Sequence, residues 1–500
     1  MRTTIALALL ALFAVATIHA QNKDDIASRA ALLKSGTDAE KISAAQDLAA
    51  VGSADALAPL FDALAAEPNP DVAVHIGGAL EKLTAPEGFK ALNAKLAKWG
   101  EGRGMFAAFW ALTGVARGKQ VEGDETLKAA LAHKAIYIRV AAFEALGEAA
   151  RQDFDAWLAE FLNAFKKDPA EREVVVMLAA LMAAPKLVNK EAPENTSRNA
   201  LMAACVSVMA LSNHDKIKYF ASQALAQLSG EKAYLNVEFW RQWLKENGAG
   251  NVPKPEEKRT GVRFFEAEAA GKRMVFCIDV SGSMEFPLKN PNGGKGPVTR
   301  GQGGKDGPDY SGCKTRLDLA KTELLWTLAH LTDDYWFNIV TYSKEHQLID
   351  KETPGFVKAN KENKLKFSNL VRALKANGGT NIHGGLLDSF RVIEKGMAED
   401  NPAYDAKALE KGADTIFFLT DGHPSWSDDS EGKPMDVRDG QAYGTGDMAQ
   451  AANISKWFVL TNRFRKVIVN TVGIGDHARE LLQELAKASF GVYIDRTGTG

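Results

Sequence analysis

The sequence predicts two folds in series: an all-helical repeat domain, then an α/β domain whose mostly parallel sheet carries helices on both faces. Three observations predict this. The first half is Ala- and Leu-rich with helical periodicity, and it repeats itself about every 32 to 35 residues, the spacing of stacked helix pairs. The second half alternates near-continuous apolar runs with helical ones, as strands buried on both faces and joined by helices do. Between the halves, residues 247–260 turn to Gly, Pro and charge, the composition of a linker.

The repeat domain is read over residues 21–246. Ala44-Ala45-Gln46-Asp47-Leu48, Gly77-Gly78-Ala79-Leu80, Ala108-Phe109-Trp110-Ala111-Leu112, Ala141 to Leu146 and Leu178-Ala179-Ala180-Leu181 are each a small-residue helix face ending in Leu. Second helical stretches lie between them, such as Ala56 to Leu64 and Phe154 to Phe165, punctuated by Asn69-Pro70-Asp71 and Asp168-Pro169. Small residues let neighbouring helices approach and bury a core that no single repeat could make. The units resemble short HEAT-like repeats, with Asp71-Val72-Ala73-Val74 and Ile138-Arg139-Val140-Ala141-Ala142 similar to that family's second-helix opening. An α-solenoid is the expected form.

The α/β domain is read over residues 261–497. Its strand candidates are Met274 to Val280, Tyr335 to Tyr342, Thr415 to Leu419, Val467 to Val472 and Val492 to Ile494. Its helix candidates are Arg316 to Leu331, Lys364 to Leu374, Leu386 to Lys395, Met448 to Leu460 and Ala478 to Ala488. Sheets of this kind bind ligands at the carboxyl ends of their strands, which nominates Asp279 and Asp421. Two insertions interrupt the pattern. Residues 285–314 are rich in Gly, Pro and Lys, and 423–446 in Asp, Gly and Ser; both are expected to be surface loops that bury little and emerge beside the site.

Composition narrows the function. With 500 residues, 46% hydrophobic and 25% charged, the chain is long enough for roughly three globular domains. A formal net charge of -2 offers no broad basic field for nucleic acid and no strong bias toward a membrane surface, so partners are chosen by local sites. Arg2, the apolar run Ile5 to Ile18, and Ala20 before Gln21-Asn22-Lys23-Asp24-Asp25 read as a signal peptide over residues 1–20. That run is too short to span a bilayer, which takes about 20 residues. The mature chain is expected to be exported, secreted or periplasmic, with no transmembrane segment. Cys205, Cys277 and Cys313 are too few and scattered for a disulfide framework. Cys277 reads as a small core residue and Cys313 as the exposed thiol.

The site itself is a set of five oxygen-bearing side chains. Asp279-Val280-Ser281-Gly282-Ser283 follows the first apolar run, Thr380 sits in Gly378-Gly379-Thr380-Asn381, and Asp421 in Thr420-Asp421-Gly422. Three neutral hydroxyls and two carboxylates suit a hard cation such as Mg2+, Mn2+ or Ca2+ and disfavour thiophilic ions. Mg2+ takes roughly six oxygens, so this set leaves a position open for an acidic group of a partner.

These motifs resemble the metal-ion-dependent adhesion site of von Willebrand factor type A domains. The Asp-x-Ser-x-Ser of that family falls on Asp279, Ser281 and Ser283, its threonine on Thr380 and its second aspartate on Asp421, with no departure. The resemblance runs from about Lys272 to Asp495 and implies a Rossmann-like, doubly wound sheet. It also implies that Ser281, Ser283 and Thr380 ligate the ion directly, that Asp279 and Asp421 act directly or through water, and that the ligand is a protein or matrix component presenting an acidic group.

Two other readings stay open: a scaffold in which the metal site only stabilises, and a metal-dependent hydrolase. His383 and His423, close to Thr380 and Asp421, would matter for the hydrolase. No Gly-x-Ser-x-Gly elbow, His-Glu-x-x-His pair or phosphate-binding Gly-x-x-x-x-Gly-Lys loop supports an enzyme. Binding without catalysis is the expectation.

Overall fold

A computed structural model describes residues 23–189, 196–246, 252–255, 262–288, 307–399, 401–430, 436–438, 441–443 and 446–496. The expected signal peptide, most of the linker, and residues 289–306 of the first insertion lie outside the described residues. The chain groups into two compact units: one runs up to Cys205 and takes in Gln227–Gly230, and the other holds Val206–Ala226 and the chain from Glu231 onward. Among the described residues no helix is long and apolar enough to cross a membrane.

Helices alone build the first unit's described residues. Helices α1 (Pro70–Gly78), α2 (Gly104–Gly118), α3 (Ile136–Ala149) and α4 (Val174–Leu187) pack each on the next. The alternate helices Ala54–Ala66, Pro86–Leu96 and Val121–Leu131 do the same. Ser53 caps the first of these by accepting from Ala56 N, and Asn69 caps α1 with Pro70 in its first turn. The leucines that end the repeated segments, Leu48, Leu80, Leu112, Leu146 and Leu181, are all buried.

Small residues set the helix spacing. A Cβ built on Gly114 would lie 2.1 Å from the Gly77 carbonyl oxygen, and one on Gly77 would lie 2.6 Å from that of Trp110. Backbone meets backbone where α1 crosses α2. One expected helix is shorter than the sequence suggests. Phe154 to Phe165 forms a 3-10 turn, Phe154–Ala156, and then a helix over Leu158–Ala164. The break tucks the fully buried Trp157 beneath the Arg151 guanidinium, 5.1 Å from its ring centroid.

In the second unit a seven-stranded sheet carries the fold. Strands β1 (Arg273–Asp279), β2 (Trp336–Tyr342), β3 (His346–Leu348), β4 (Val357–Lys358), β5 (Thr415–Thr420), β6 (Ile468–Ile474) and β7 (Tyr493–Arg496) take the order β7-β6-β5-β1-β2-β3, with β4 also on β2. The five long-read strands run parallel, whereas β3 and β4 are antiparallel additions on β2. Those two are so short that no period of alternation marks them in the sequence.

Alternate residues of each strand feed opposite cores. Phe276, Ile278, Phe417 and Leu419 pack with Leu324, Leu328 and Phe367 of helices α5 (Arg316–His330) and α6 (Lys361–Ala373). Val275, Cys277, Ile416 and Phe418 pack with Leu386, Phe458 and Leu485 of helices α7 (Ile382–Arg391), α8 (Ala451–Asn462) and α9 (Arg479–Ala488). The sheet is therefore doubly wound. Helix α7 begins four residues before the apolar pattern suggests, because Asn381 accepts from Gly384 N at 2.8 Å and caps it. Its Gly385 lets the helix lie against β2; a Cβ there would sit 2.7 Å from the Tyr342 ring.

This unit also includes part of the last helical stretch. Tyr219 donates to the Phe490 carbonyl at 2.6 Å, and the Phe220 and Phe490 rings lie 5.2 Å apart. Replacing Gly114 by Leu forces the α1 and α2 backbones apart, and overpacking of this kind costs about 1–3 kcal/mol or more. A urea titration of the full chain is expected to show the loss in a helical transition, while Ala at the exposed position Val121 leaves it nearly unmoved.

Candidate functional site

The strand order reverses between β1 and β5: from β1 the chain goes to β2 on one side and reaches β5 on the other. Such a switch point leaves a crevice beyond the carboxyl ends of the two strands. Asp279 ends β1, and Asp421 directly follows β5. Both are buried, at 0% and 1% exposure.

Backbone hydrogen bonds bring the third segment over this crevice. Val280 N donates to Tyr342 O at 2.8 Å, Asn377 N to Val280 O at 2.8 Å, and Gly282 N to Gly378 O at 3.0 Å. Ser281 has extended backbone, after which Gly282–Glu285 makes a 3-10 turn that swings Ser283 back toward β5. Thr380 is held in turn by the loop after Asp421: its N–H donates to Ser425 Oγ at 2.9 Å, and its carbonyl accepts from Ser425 N at 3.0 Å.

The side chains then form one connected cup. Asp279 Oδ1 accepts from Ser281 N at 2.7 Å, and Oδ2 accepts from the Thr420 hydroxyl at 2.7 Å. Asp421 Oδ1 accepts from the Ser283 hydroxyl at 2.7 Å, and Oδ2 accepts from Arg316 Nη1 at 2.8 Å. Ser281 Oγ and Ser283 Oγ are 3.2 Å apart. A Cβ built on Gly422 would lie 3.5 Å from Thr380 Oγ1 and 3.7 Å from Ser283 Oγ, so those hydroxyls flank a common space. The structure thus brings all five residues singled out from the sequence together.

Charge in the cup is unbalanced. Burial, then the facing Asp421, raises the Asp279 carboxyl well above its ordinary range. Burial also raises Asp421, although the Arg316 guanidinium and the Ser283 hydroxyl pull it back. The one guanidinium beside the two desolvated carboxylates pairs with Asp421, and a cation at the hydroxyl rim would relieve the excess. Among the described residues no group of three or more His, Cys, Asp or Glu could hold a metal ion. A cation here would depend on hydroxyl oxygens beside the two carboxylates, and an all-oxygen set of this kind fits a hard divalent ion.

Sequence reasoning missed four supporting residues. Thr420 and Arg316 each bind a carboxylate, Ser425 holds Thr380, and His346 ties down the second insertion. Thr420 and Ser425 lie beside the Asp421 motif; nothing local marks Arg316 or His346, since only the fold carries them there. His383 packs edge-on against the Trp457 ring at 4.5 Å, and burial lowers its imidazole to about 4. His423 is exposed.

Neither insertion is as detached as its composition suggests. Tyr310 is buried and donates to Glu323 on α5, and Leu288 N donates to Lys314 O at 3.0 Å, which closes the base of the first. In the second, Ser427 is fully buried, and Asp428 accepts from Asn381 Nδ2 at 2.8 Å. His346 bridges Asp388 Oδ2 at 2.7 Å and Asp428 Oδ2 at 3.1 Å. Polar anchors hold these ends where an apolar count saw nothing.

No family model matches the chain, and no curated protein matches it. Solved structures similar to it include a von Willebrand factor type A protein from Catenulispora acidiphila, at 17% identity and a TM-score of 0.29, over 46% of this chain and 40% of that one. Another is the pilus adhesin SpaC from Lactobacillus rhamnosus GG in its open conformation, at 15% identity and a TM-score of 0.28, over 45% and 27%. The chain spans less than half the length of either.

Burial alone would lower the His346 imidazole, but hydrogen bonds and charge from Asp388 and Asp428 outweigh it and raise it to about 10. Stability from this charge is complete below the usual imidazole value of about 6.5 and is lost as pH rises toward about 10. Thermal unfolding between those limits is expected to weaken more with pH in the native chain than in His346→Gln. Gly422 is not in the left-handed region, so Gly422→Ala is expected to fold. Its methyl would enter the space between Thr380 and Ser283, and calorimetric titration with Mn2+ should give a weaker site.

Proposed function

We propose that this chain is an exported, non-enzymatic binding protein. It recognises a protein or matrix ligand through a divalent cation held by Asp279, Ser281, Ser283, Thr380 and Asp421, with Mg2+ first and Mn2+ or Ca2+ as alternatives. One observation carries the reading. Oxygen donors from three distant segments converge at the switch point of a doubly wound sheet, where the carboxylates are buried and Ser283 and Thr380 flank one space.

The protein's own residues have separable roles in this reading. Ser281, Ser283 and Thr380 direct hydroxyl oxygens to the ion, while Asp279 and Asp421, held from behind by Thr420 and Arg316, supply charge to it directly or through water. When bound, the ion supplies a Lewis-acidic position open to a partner carboxylate. Neutral ligating oxygens leave that position more attractive to an anion than a ring of carboxylates would. The helical unit, read as a HEAT-like solenoid, would offer a second interaction surface, and the signal-peptide pattern read in residues 1–20 supports export.

Calorimetric titration of the full chain with Mg2+, Mn2+ and Ca2+ tests the site before any ligand is known. One binding event is expected, and Asp279→Ala should remove it while leaving the far-ultraviolet circular dichroism intact. A native chain that takes up none of these ions at millimolar concentration would sink the reading.

A further inference from the structure

Arg316 opens α5, a place where side chains usually reach water, yet it is only 7% exposed. Its Nη1 lies 2.8 Å from Asp421 Oδ2 and 3.3 Å from the Asp421 carbonyl oxygen. Three turns enclose the guanidinium. The Phe286 ring, just past Ser283, lies with its centroid 5.3 Å from Cζ, and Phe286 O accepts from Arg316 N at 3.1 Å. Gly475, just past β6 and at φ +61°, leaves the remaining room; a Cβ there would come 2.5 Å from Cζ.

This enclosure has a cost. Arg316 Nε is buried with no hydrogen-bond partner. An unsatisfied buried donor on a charged group destabilises a fold unless a compensating charge lies near. The compensation is on the other side: without Arg316, the buried Asp421 would face the buried Asp279 with no guanidinium on it. Asp421 also has a divided task, since Oδ2 faces Arg316 and Oδ1 faces the Ser283 hydroxyl.

We propose that Arg316 is a built-in counter-charge: by neutralising Asp421 it eases that carboxylate's repulsion of Asp279 when no ion is present, and it loosens the grip on a divalent ion when one is. The first half stands on the geometry alone, and the second rests on the metal reading above. Both follow from one carboxylate serving two cations. The fixed guanidinium stabilises the empty cup, and the same positive charge repels an incoming ion. Arg316 is thus a positioning residue that sets how strongly folding depends on the ion.

Thermal unfolding of the full chain in EDTA and in Mg2+, together with calorimetric titration by Mn2+, tests this. Arg316→Gln should melt lower than native in EDTA, recover more than native on adding Mg2+, and bind Mn2+ tighter by roughly three- to tenfold, the scale of one screened charge repulsion. Arg316→Lys keeps the charge and should stay near native in ion affinity. Equal losses in both media, unchanged or weaker Mn2+ binding, or a Lys variant that behaves like Gln would overturn the proposal.

If the native chain binds no ion, the metal reading fails and the second half goes with it; a double-mutant cycle in EDTA then decides the first half. Asp421→Asn should cancel most of the melting loss caused by Arg316→Gln, whereas losses that simply add would overturn it. Where Arg316→Gln alone does not fold, a folded double variant supports the counter-charge, and an unfolded one overturns it.

Discussion

Two carboxylates buried at the ends of neighbouring parallel strands are the constraint around which the second unit is organised. Taking an ionised carboxylate out of water costs several kcal/mol even after relaxation. Hydrogen bonds to a charged group return about 1.5–3 kcal/mol each. Asp279 and Asp421 each receive two such bonds at 2.7 to 2.8 Å, which offset only part of the desolvation, so burial still holds both carboxyls above their ordinary range. A positive charge beside them, from Arg316 at Asp421 or from an ion, favours keeping both ionised.

The sheet makes the arrangement rigid. Asp279 and Asp421 lie at the exits of strands whose middles are locked by the stacked rings of Phe276 and Phe417, 5.3 Å apart. Tyr342, stacked on Phe418, donates across the sheet to Leu419 O at 2.9 Å, tying the end of β2 to that of β5. With the strand ends pinned, the turn at Ser281–Ser283 and the loop at Thr380 have few ways to lie. Backbone hydrogen bonds between Gly282 and Gly378, and between Thr380 and Ser425, select one of them. The second insertion is fastened to this frame by charge, through Asp428, His346 and Asp388, so the position of Asp428 and the placement of Thr380 are linked by way of Asn381.

The helical unit solves a different problem. Its helices are short and rich in alanine, so each buries little by itself, and close stacking has to make up the difference. The contact of Gly114 with the Gly77 carbonyl shows how near that stacking comes to the backbone limit. Such a unit tolerates little added bulk inside and leaves its outer faces open to variation.

Much of this was legible in the residues. Near-continuous apolar strands can be stable only when both faces are covered, so Met274 to Val280 and Thr415 to Leu419 already implied a doubly wound sheet. Oxygen-bearing side chains at strand exits already implied one site, because that end of the sheet is where such strands converge. The remainder depended on the folded chain. β3 and β4 are too short to carry a period, and α7 carries Gly384-Gly385 in its first turn, which helical propensity would reject without the Asn381 cap and the Tyr342 ring. Arg316 and His346 look like ordinary surface residues along the chain, and only the packing that brings the start of α5 to Asp421 and the start of β3 to Asp388 turns them into partners of buried carboxylates. Local pattern reports what a residue must bury or expose; which distant charge it will meet is settled by topology, and no window of sequence contains both.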